Sequence, residues 1–186
     1  EHDVLQLTYD AITNGAVGKL MQAAGLSFEL LEHGQQKDMQ GISLEGHGQD
    51  HAAIYPGVPQ VVNTGYTIAD RFFYPGDALY NPQKPVEILA LPVAGPWMKM
   101  AEALDYAKAI KPRVAFPVHD GMLKIFGPFH MLPQRFLTEA GIQFKITDAL
   151  GQKTVPYDVK AENWKTAVQK LLQNFNKIEM WQDDLA

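Results

Sequence analysis

Three short stretches of this chain place metal-competent side chains where an apolar run breaks off. In Phe72-Phe73-Tyr74-Pro75-Gly76-Asp77 a carboxylate follows a Pro-Gly break, and in Phe116-Pro117-Val118-His119-Asp120 an imidazole arrives in the same way. Gly46-His47-Gly48-Gln49-Asp50-His51 sets two histidines in a glycine-rich stretch that allows close approach to a ligand, and a fourth group, Glu1-His2-Asp3, opens the sequence. In α/β sheets ligands gather at strand ends, because there the backbone leaves the sheet and a side chain turns into a crevice. Neutral imidazoles with carboxylates are the ligand set of a catalytic zinc, or of manganese or iron where carboxylates are more numerous. One Asp between two cations can bridge them, and a pair about 3.5–4 Å apart makes a hydrolytic site. Taken singly, each residue also has a plain structural reading. Asp77 reads equally well as a turn residue and His119 as a hydrogen-bonded core histidine. His33 and His130 read as surface or helix-end histidines.

Composition narrows the chemistry further. The 186 residues include no cysteine, which removes a disulfide framework, a thiol nucleophile and a Cys-ligated zinc. Sixteen Lys and Arg, scattered among 21 Asp and Glu, give a formal net charge of −5. That balance argues against a general nucleic-acid binder, which needs a basic stripe to neutralise phosphates. The best apolar run, Val86 to Val93, has strand length and falls well short of the roughly 18 residues of a membrane span. No basic and then apolar stretch opens the sequence, so a cytoplasmic location is expected.

The elements that must position these residues follow from periodicity and punctuation. Asn14 caps a predicted helix whose apolar residues Val17, Leu20, Met21 and Ala24 keep helical spacing up to Gly25. Leu26–Leu31, Ile42–Glu45 and Ala52–Tyr55 read as extended, and Gly65–Ile68 with Arg71–Tyr74 as a hairpin with Ala69-Asp70 at its tip. Val86–Val93 and Val114–Val118 are almost wholly apolar, as strands covered on both faces are. Between them Met100, Leu104, Ala107 and Ile110 keep helical spacing until Lys111-Pro112, which completes a βαβ unit. A helix from Pro133 to Ala140, a strand Gln143–Thr147, a turn at Gly151 and a last helix striped by Trp164, Val168, Leu171, Leu172 and Phe175 come next. One domain over residues 1–186 is expected, with 151–186 an extension that ends in a helix.

Four segments, in order, resemble a metallo-β-lactamase-fold hydrolase. They are Asp50-His51-Ala-Ala-Ile-Tyr-Pro-Gly-Val-Pro (50–59), Gly-Tyr-x-Ile-x-x-Arg-Phe-Phe-Tyr-Pro-Gly-Asp-Ala-Leu (65–79), Pro-Val-Glu-Ile-Leu-Ala-Leu-Pro-Val-Ala-Gly-Pro-Trp-Met-Lys (85–99) and Pro-Arg-Val-Ala-Phe-Pro-Val-His-Asp-Gly (112–121). The first is similar to a segment of the UlaG-like branch of small metal-dependent hydrolases. The resemblance spans roughly residues 1–150 and implies an α/β (α+β) fold, the αββα sandwich. It also implies two divalent cations, zinc with manganese or iron as alternatives. His51 would bind the first, Asp77 would bridge both and His119 would bind the second. His47 is the rival of His51, which is preferred because it directly precedes Ala-x-Ile-x-Pro in the family pattern. Glu1-His2-Asp3 resembles the family's His-x-His-x-Asp-His motif entered in its middle, with His2 its second histidine; Val4 and Leu5 then stand where the pattern has Asp and His. The family's opening strands would precede residue 1, so the fold is expected to be incomplete at that end.

The implied activity is hydrolysis of a small-molecule ester, lactone or phosphoester by a metal-bound hydroxide, with Asp77 and His119 catalytic. The alternatives are a phosphodiesterase or nuclease on the same fold, and a non-catalytic member that has lost ligands. A small-molecule substrate, no nucleic-acid or membrane partner and an open choice between monomer and homo-oligomer complete the expectation. Trp97, Met98 and Tyr80 read either as pocket walls or as core.

Overall fold

A computed structural model describes residues 11–146. In chain order they form β1 (Ala11–Thr13), α1 (Gly15–Ala23), β2 (Phe28–Leu30), β3 (Gln36–Met39), β4 (Ile42–His47), β5 (Gly65–Ile68), β6 (Phe72–Tyr74), β7 (Ile88–Pro92), α2 (Met100–Ile110), β8 (Val114–Val118), α3 (Gly127–Glu139) and β9 (Gln143–Phe144). Strands β1 and β2 pair in parallel as a small sheet, and β3 to β9 form a seven-stranded sheet in sequence order. The expected last helix and the 151–186 extension lie outside the described residues, as does His2.

Local chemistry sets the element boundaries. Asn14 Oδ1 accepts the Val17 N–H at 3.0 Å, satisfying one of the free donors at the start of α1. Gly25, at φ 72°, lies just past that helix's end. The β5–β6 hairpin turns on Ala69 and Asp70, both at positive φ, the geometry whose twist matches the flanking strands. Asp70 offsets its strain partly by accepting a hydrogen bond from Ser43 Oγ at 2.7 Å. Two expectations need correction. Ala52–Tyr55 is an irregular loop and not a strand, because its first N–H bonds to Asp77 O and not to a ladder. Helix α3 starts six residues before Pro133, because Pro128 takes the favoured place in the first turn and leaves Pro133 inside the helix. Strand β9 is also shorter than the expected Gln143–Thr147.

The βαβ unit forms as expected. Strands β6, β7, β8 and β9 run parallel, whereas β3 to β6 alternate. Side chains of β7 divide between the two faces with period two. Leu89 and Leu91 pack with Phe73, Ala115, α2 residues Ala103, Tyr106 and Ala107, and Leu137 of α3. Ile88 and Ala90 pack on the other face with Phe72 and Val114. That second face continues into an apolar cleft of 470 Å³ whose walls include Ile12, Leu44, Ile68, Phe72, Ala90 and Phe116. The described residues thus supply the seven-stranded sheet, its cover of α2 and α3 on one face, and the small β1–β2 sheet, whose Ile12 reaches the cleft on the other. Among them no helix is long and apolar enough to cross a membrane.

Two polar groups hold the sheet at opposite ends. At the starts of β6, β7 and β8, Glu87 accepts from Arg71 Nη2 at 2.8 Å and Arg113 Nη2 at 3.0 Å, and pairs also with Arg71 Nε. At the far end, His47 closes β4, is 4% exposed and has its Nε2 2.9 Å from Thr67 Oγ1. Hydrogen bonds from Arg71, opposed by burial and joined by Arg113, hold the Glu87 carboxyl down at about 2. Its folded value therefore lies below its unfolded one, and its contribution is present above pH 4.5 and disappears as the pH falls through about 2. Glu87→Gln is expected to cost about 1–2 kcal/mol at neutral pH, discounted for its partial exposure, and nothing at the acid end; urea unfolding at several pH values checks this. For His47 burial dominates and lowers the pKa, with Glu45 opposing. The unfolded chain then takes up the proton first, so stability falls as the pH drops below 6.5. His47→Gln should flatten that part of the pH–stability curve relative to wild type, in the same unfolding series.

Candidate functional site

Parallel alignment puts the C-terminal ends of β6, β7 and β8 on one edge of the sheet, and β4, which shares their direction, ends there as well. The chain leaves that edge through Gly48 and His51, through Pro75-Gly76-Asp77, through Trp97 and through His119. Three of the residues singled out from the sequence meet there. His51 Nε2 lies 3.2 Å from Asp77 Oδ2, and His119 Nε2 lies 3.2 Å from Asp77 Oδ1. Each carboxylate oxygen therefore faces a different imidazole. The imidazoles are recessed, with side chains 15% and 16% exposed, whereas the carboxylate is 45% exposed at the mouth.

Proton placement on His51 follows from its partner. Ala52 O lies 2.6 Å from Nδ1, and because a carbonyl only accepts, the proton sits on Nδ1. Nε2 of the neutral ring then presents a lone pair to Asp77 Oδ2. Two acceptors in that arrangement repel unless a cation lies between them, either a proton or a metal ion. Donation of the far ring N–H to a backbone carbonyl is also how metal-binding histidines are oriented. The donor set therefore fits a divalent cation in kind. In number it falls short: among the described residues no group of three or more His, Asp or Glu is arranged to hold a metal ion by itself.

Histidine 119 is held differently. It stands at φ 66°, in the left-handed region, as the chain turns from β8 into a 3-10 turn at Asp120–Met122. Its Nε2 is also 3.1 Å from the Tyr74 hydroxyl. Burial, and secondarily the charge on Asp77, raises the Tyr74 pKa, so the phenol keeps its proton and can donate. Trp97 packs edge-on against both imidazoles, with ring centroids 6.1 Å from His51 and 6.3 Å from His119. Beside His51 a cleft of 460 Å³ opens, lined by His33, Gln49, Asp50, Gln60 and Tyr80 among others.

The remaining histidines go elsewhere. His47, the rival of His51, is bonded to Thr67 and packs on Phe73. His33 is exposed and accepts the Gly48 N–H at 3.1 Å. His130 is not a surface residue: it is buried on α3 and its Nε2 lies 2.8 Å from Asp120 Oδ2. Two contributors escaped the sequence reading, Tyr74 and Asn63. Asn63 Oδ1 accepts the Asp77 N–H at 2.8 Å, and its Nδ2 donates to Pro75 O at 2.9 Å. Neither lies in a recognisable spacing, although Tyr74 stands inside the Tyr-Pro-Gly-Asp run.

Comparison with known proteins adds to this geometry. Protein Rv0786c of Mycobacterium tuberculosis (strain ATCC 25618 / H37Rv) is 37% identical over 95 residues, which are 48% of this chain and 45% of that protein's length. This chain is thus matched to somewhat less than half of that relative. Among solved structures, a mutant of the CmlA beta-hydroxylase superposes with a TM-score of 0.53 at 11% identity, over 74% of this chain and 35% of that one, a likeness of fold alone. A Thermotoga maritima protein of the metallo-beta-lactamase superfamily reaches a TM-score of 0.39 at 15% identity, over 57% of this chain and 61% of that one, too low to carry an argument. The family model described as Beta-lactamase superfamily domain matches residues 1–119, most of the chain and every residue of the constellation. The chain belongs to that superfamily and has the metallo-β-lactamase fold.

Proposed function

We propose that this protein is a metal-dependent hydrolase of a small ester, lactone or phosphoester-type substrate, and that His51, Asp77 and His119 are ligands of two divalent cations with Asp77 shared. One observation carries the reading: the two oxygens of Asp77 are divided between two imidazole Nε2 atoms, each at 3.2 Å. A turn residue needs no such arrangement, because its carboxylate would bond its own backbone. Bound cations at such a site supply Lewis acidity, acidifying water and stabilising developing negative charge.

What the protein's own residues contribute is orientation and enclosure. The Nδ1–H of His51, committed to Ala52 O, keeps the Nε2 lone pair aimed at the opening. Trp97 stands edge-on to both imidazole rings and forms a shared apolar neighbour for them. The cleft beside His51 has the size of a small-molecule site. The named residues on its walls, His33, Gln49, Asp50, Gln60 and Tyr80, offer hydrogen bonds to a polar substrate. Zinc is the preferred cation for this mixture of imidazole and carboxylate, with manganese or iron as alternatives. His2 would add a further donor.

Asp77→Asn tests the reading with little disturbance to the fold, since the bonds that shape the turn come from the Asp77 backbone and not its side chain. Metal content after equilibration with zinc should fall, and hydrolysis of a panel of nitrophenyl esters, lactones and phosphoesters should fall by about 100-fold or more, with the circular dichroism unchanged. Unchanged metal content in the variant would leave Asp77 as a turn residue.

A further inference from the structure

We infer that Asn63 is a positioning residue of this site: its carboxamide, together with the backbone bond from Ala52 to Asp77, locks the Asp77 turn to the loop that carries His51 and so helps set their spacing. The inference rests on the reading of Asp77 as a metal ligand. Its geometric part stands without that reading. Asn63 bonds both ends of the turn, accepting from Asp77 N at 2.8 Å and donating to Pro75 O at 2.9 Å. Its own N–H donates to Gln49 O at 3.2 Å, which holds the start of the loop leaving β4. From the other side, Ala52 N–H donates to Asp77 O at 2.9 Å, and His51 N–H donates to Val61 O at 3.0 Å. These bonds close a circuit through residues 49–63 and 75–77 that contains both His51 and Asp77.

Only asparagine fits its place in the circuit. The turn presents one donor, the Asp77 N–H, and one acceptor, Pro75 O, and a carboxamide matches both at once. Aspartate would set an oxygen against Pro75 O, and alanine would leave both groups unpaired. Glycine at position 76 is the matching requirement on the other side. Gly76 sits at φ +69°, and a Cβ built there would collide with Asn63 Oδ1. His119 arrives from β8 with none of these bonds, so Asn63 acts on the His51–Asp77 pair. It acts through the Asp77 turn, and its carboxamide bonds Asp77 and Pro75 instead of an imidazole.

The test uses the full 186-residue chain, Co²⁺ as the probe, and Asn63→Ala, Asn63→Asp and Asp77→Asn. In metal-free protein, NMR should show the Asp77 and Ala52 amides exchanging about 10-fold or more faster in Asn63→Ala. Asn63→Asp, which keeps the acceptor, should restore protection at Asp77. Co²⁺ affinity should drop by about 10–100-fold in Asn63→Ala, with an altered visible absorption spectrum, and by less in Asn63→Asp. Unchanged exchange at Asp77 overturns the lock. Co²⁺ affinity within about twofold of wild type in Asn63→Ala, alongside lost binding in Asp77→Asn, overturns the positioning role and leaves the ligand reading standing. Retained binding in Asp77→Asn instead defeats the ligand reading, and the exchange measurement then decides the lock alone. Should Asn63→Ala not fold, Gly76→Ala crowds the same carboxamide from the other side and is judged by the same outcomes.

Discussion

Strand β7 has no face turned to water: Ile88, Leu89, Ala90 and Leu91 are all at most 1% exposed. Burial on both sides is what commits the strand to parallel neighbours, since β6 and β8 must cover its edges while a crossover helix covers one face. The crossover is α2, seated through Ala103, Tyr106 and Ala107. Once β6, β7 and β8 are parallel, their C-terminal ends share one edge, and the side chains just beyond those ends share one crevice. Asp77, Trp97 and His119 are neighbours in space for this reason, despite their separation in sequence. The antiparallel pairings β4–β5 and β5–β6 then bring β4 into the same direction, which adds His51 to the edge.

At that edge the backbone takes conformations that a strand cannot continue. Gly48, Gly76 and His119 all have positive φ, at 80°, 69° and 66°. Two are glycines, for which the conformation carries little penalty. His119 is not, and a left-handed conformation costs a non-glycine residue roughly 1–2 kcal/mol. Contacts of the next residue offset that cost. Asp120 opens a 3-10 turn, and its carboxylate pairs with the buried imidazole of His130 on α3. An Asp–His pair that could be mistaken for a second set of ligands thus anchors the turn that carries His119.

How far the sequence revealed this depends on whether the signal was local. Apolar runs in β7 and β8, the Ala69-Asp70 hairpin and the Asn14 cap are decided within a few residues, and all formed where periodicity and turn chemistry put them. The same holds for the breaks before Asp77 and His119. His47 and His51 are not distinguished by such a signal, because residue spacing does not say which of two histidines turns inward. The structure shows the cause: His47 is still in register with Gly65 as the last residue of β4, and its ring goes into the core, whereas His51 comes after the Gly48 turn. Asn63 was out of reach, since its role consists of bonds to residues 12 and 14 positions away. Either proline can open a helix by its sequence, and it is Pro128 that sits in the first turn of α3.

The two ends of the sheet are held by different physics, and this bears on how the site can vary. Glu87, Arg71 and Arg113 tie the starts of β6, β7 and β8 by charged hydrogen bonds placed directly on the strands. At the other end the loops are joined mainly to each other, through backbone groups and the Asn63 carboxamide. Regions of that kind open locally at a lower free energy than the core strands. Changes to His51, Asp77 or Asn63 can therefore alter the spacing of the candidate ligands without reaching the hydrophobic contacts of β7. The same separation leaves the spacing dependent on a few hydrogen bonds, each worth only about 1 kcal/mol. A bound cation would add its own binding free energy to that local structure, so order at the site and occupancy by metal would rise together.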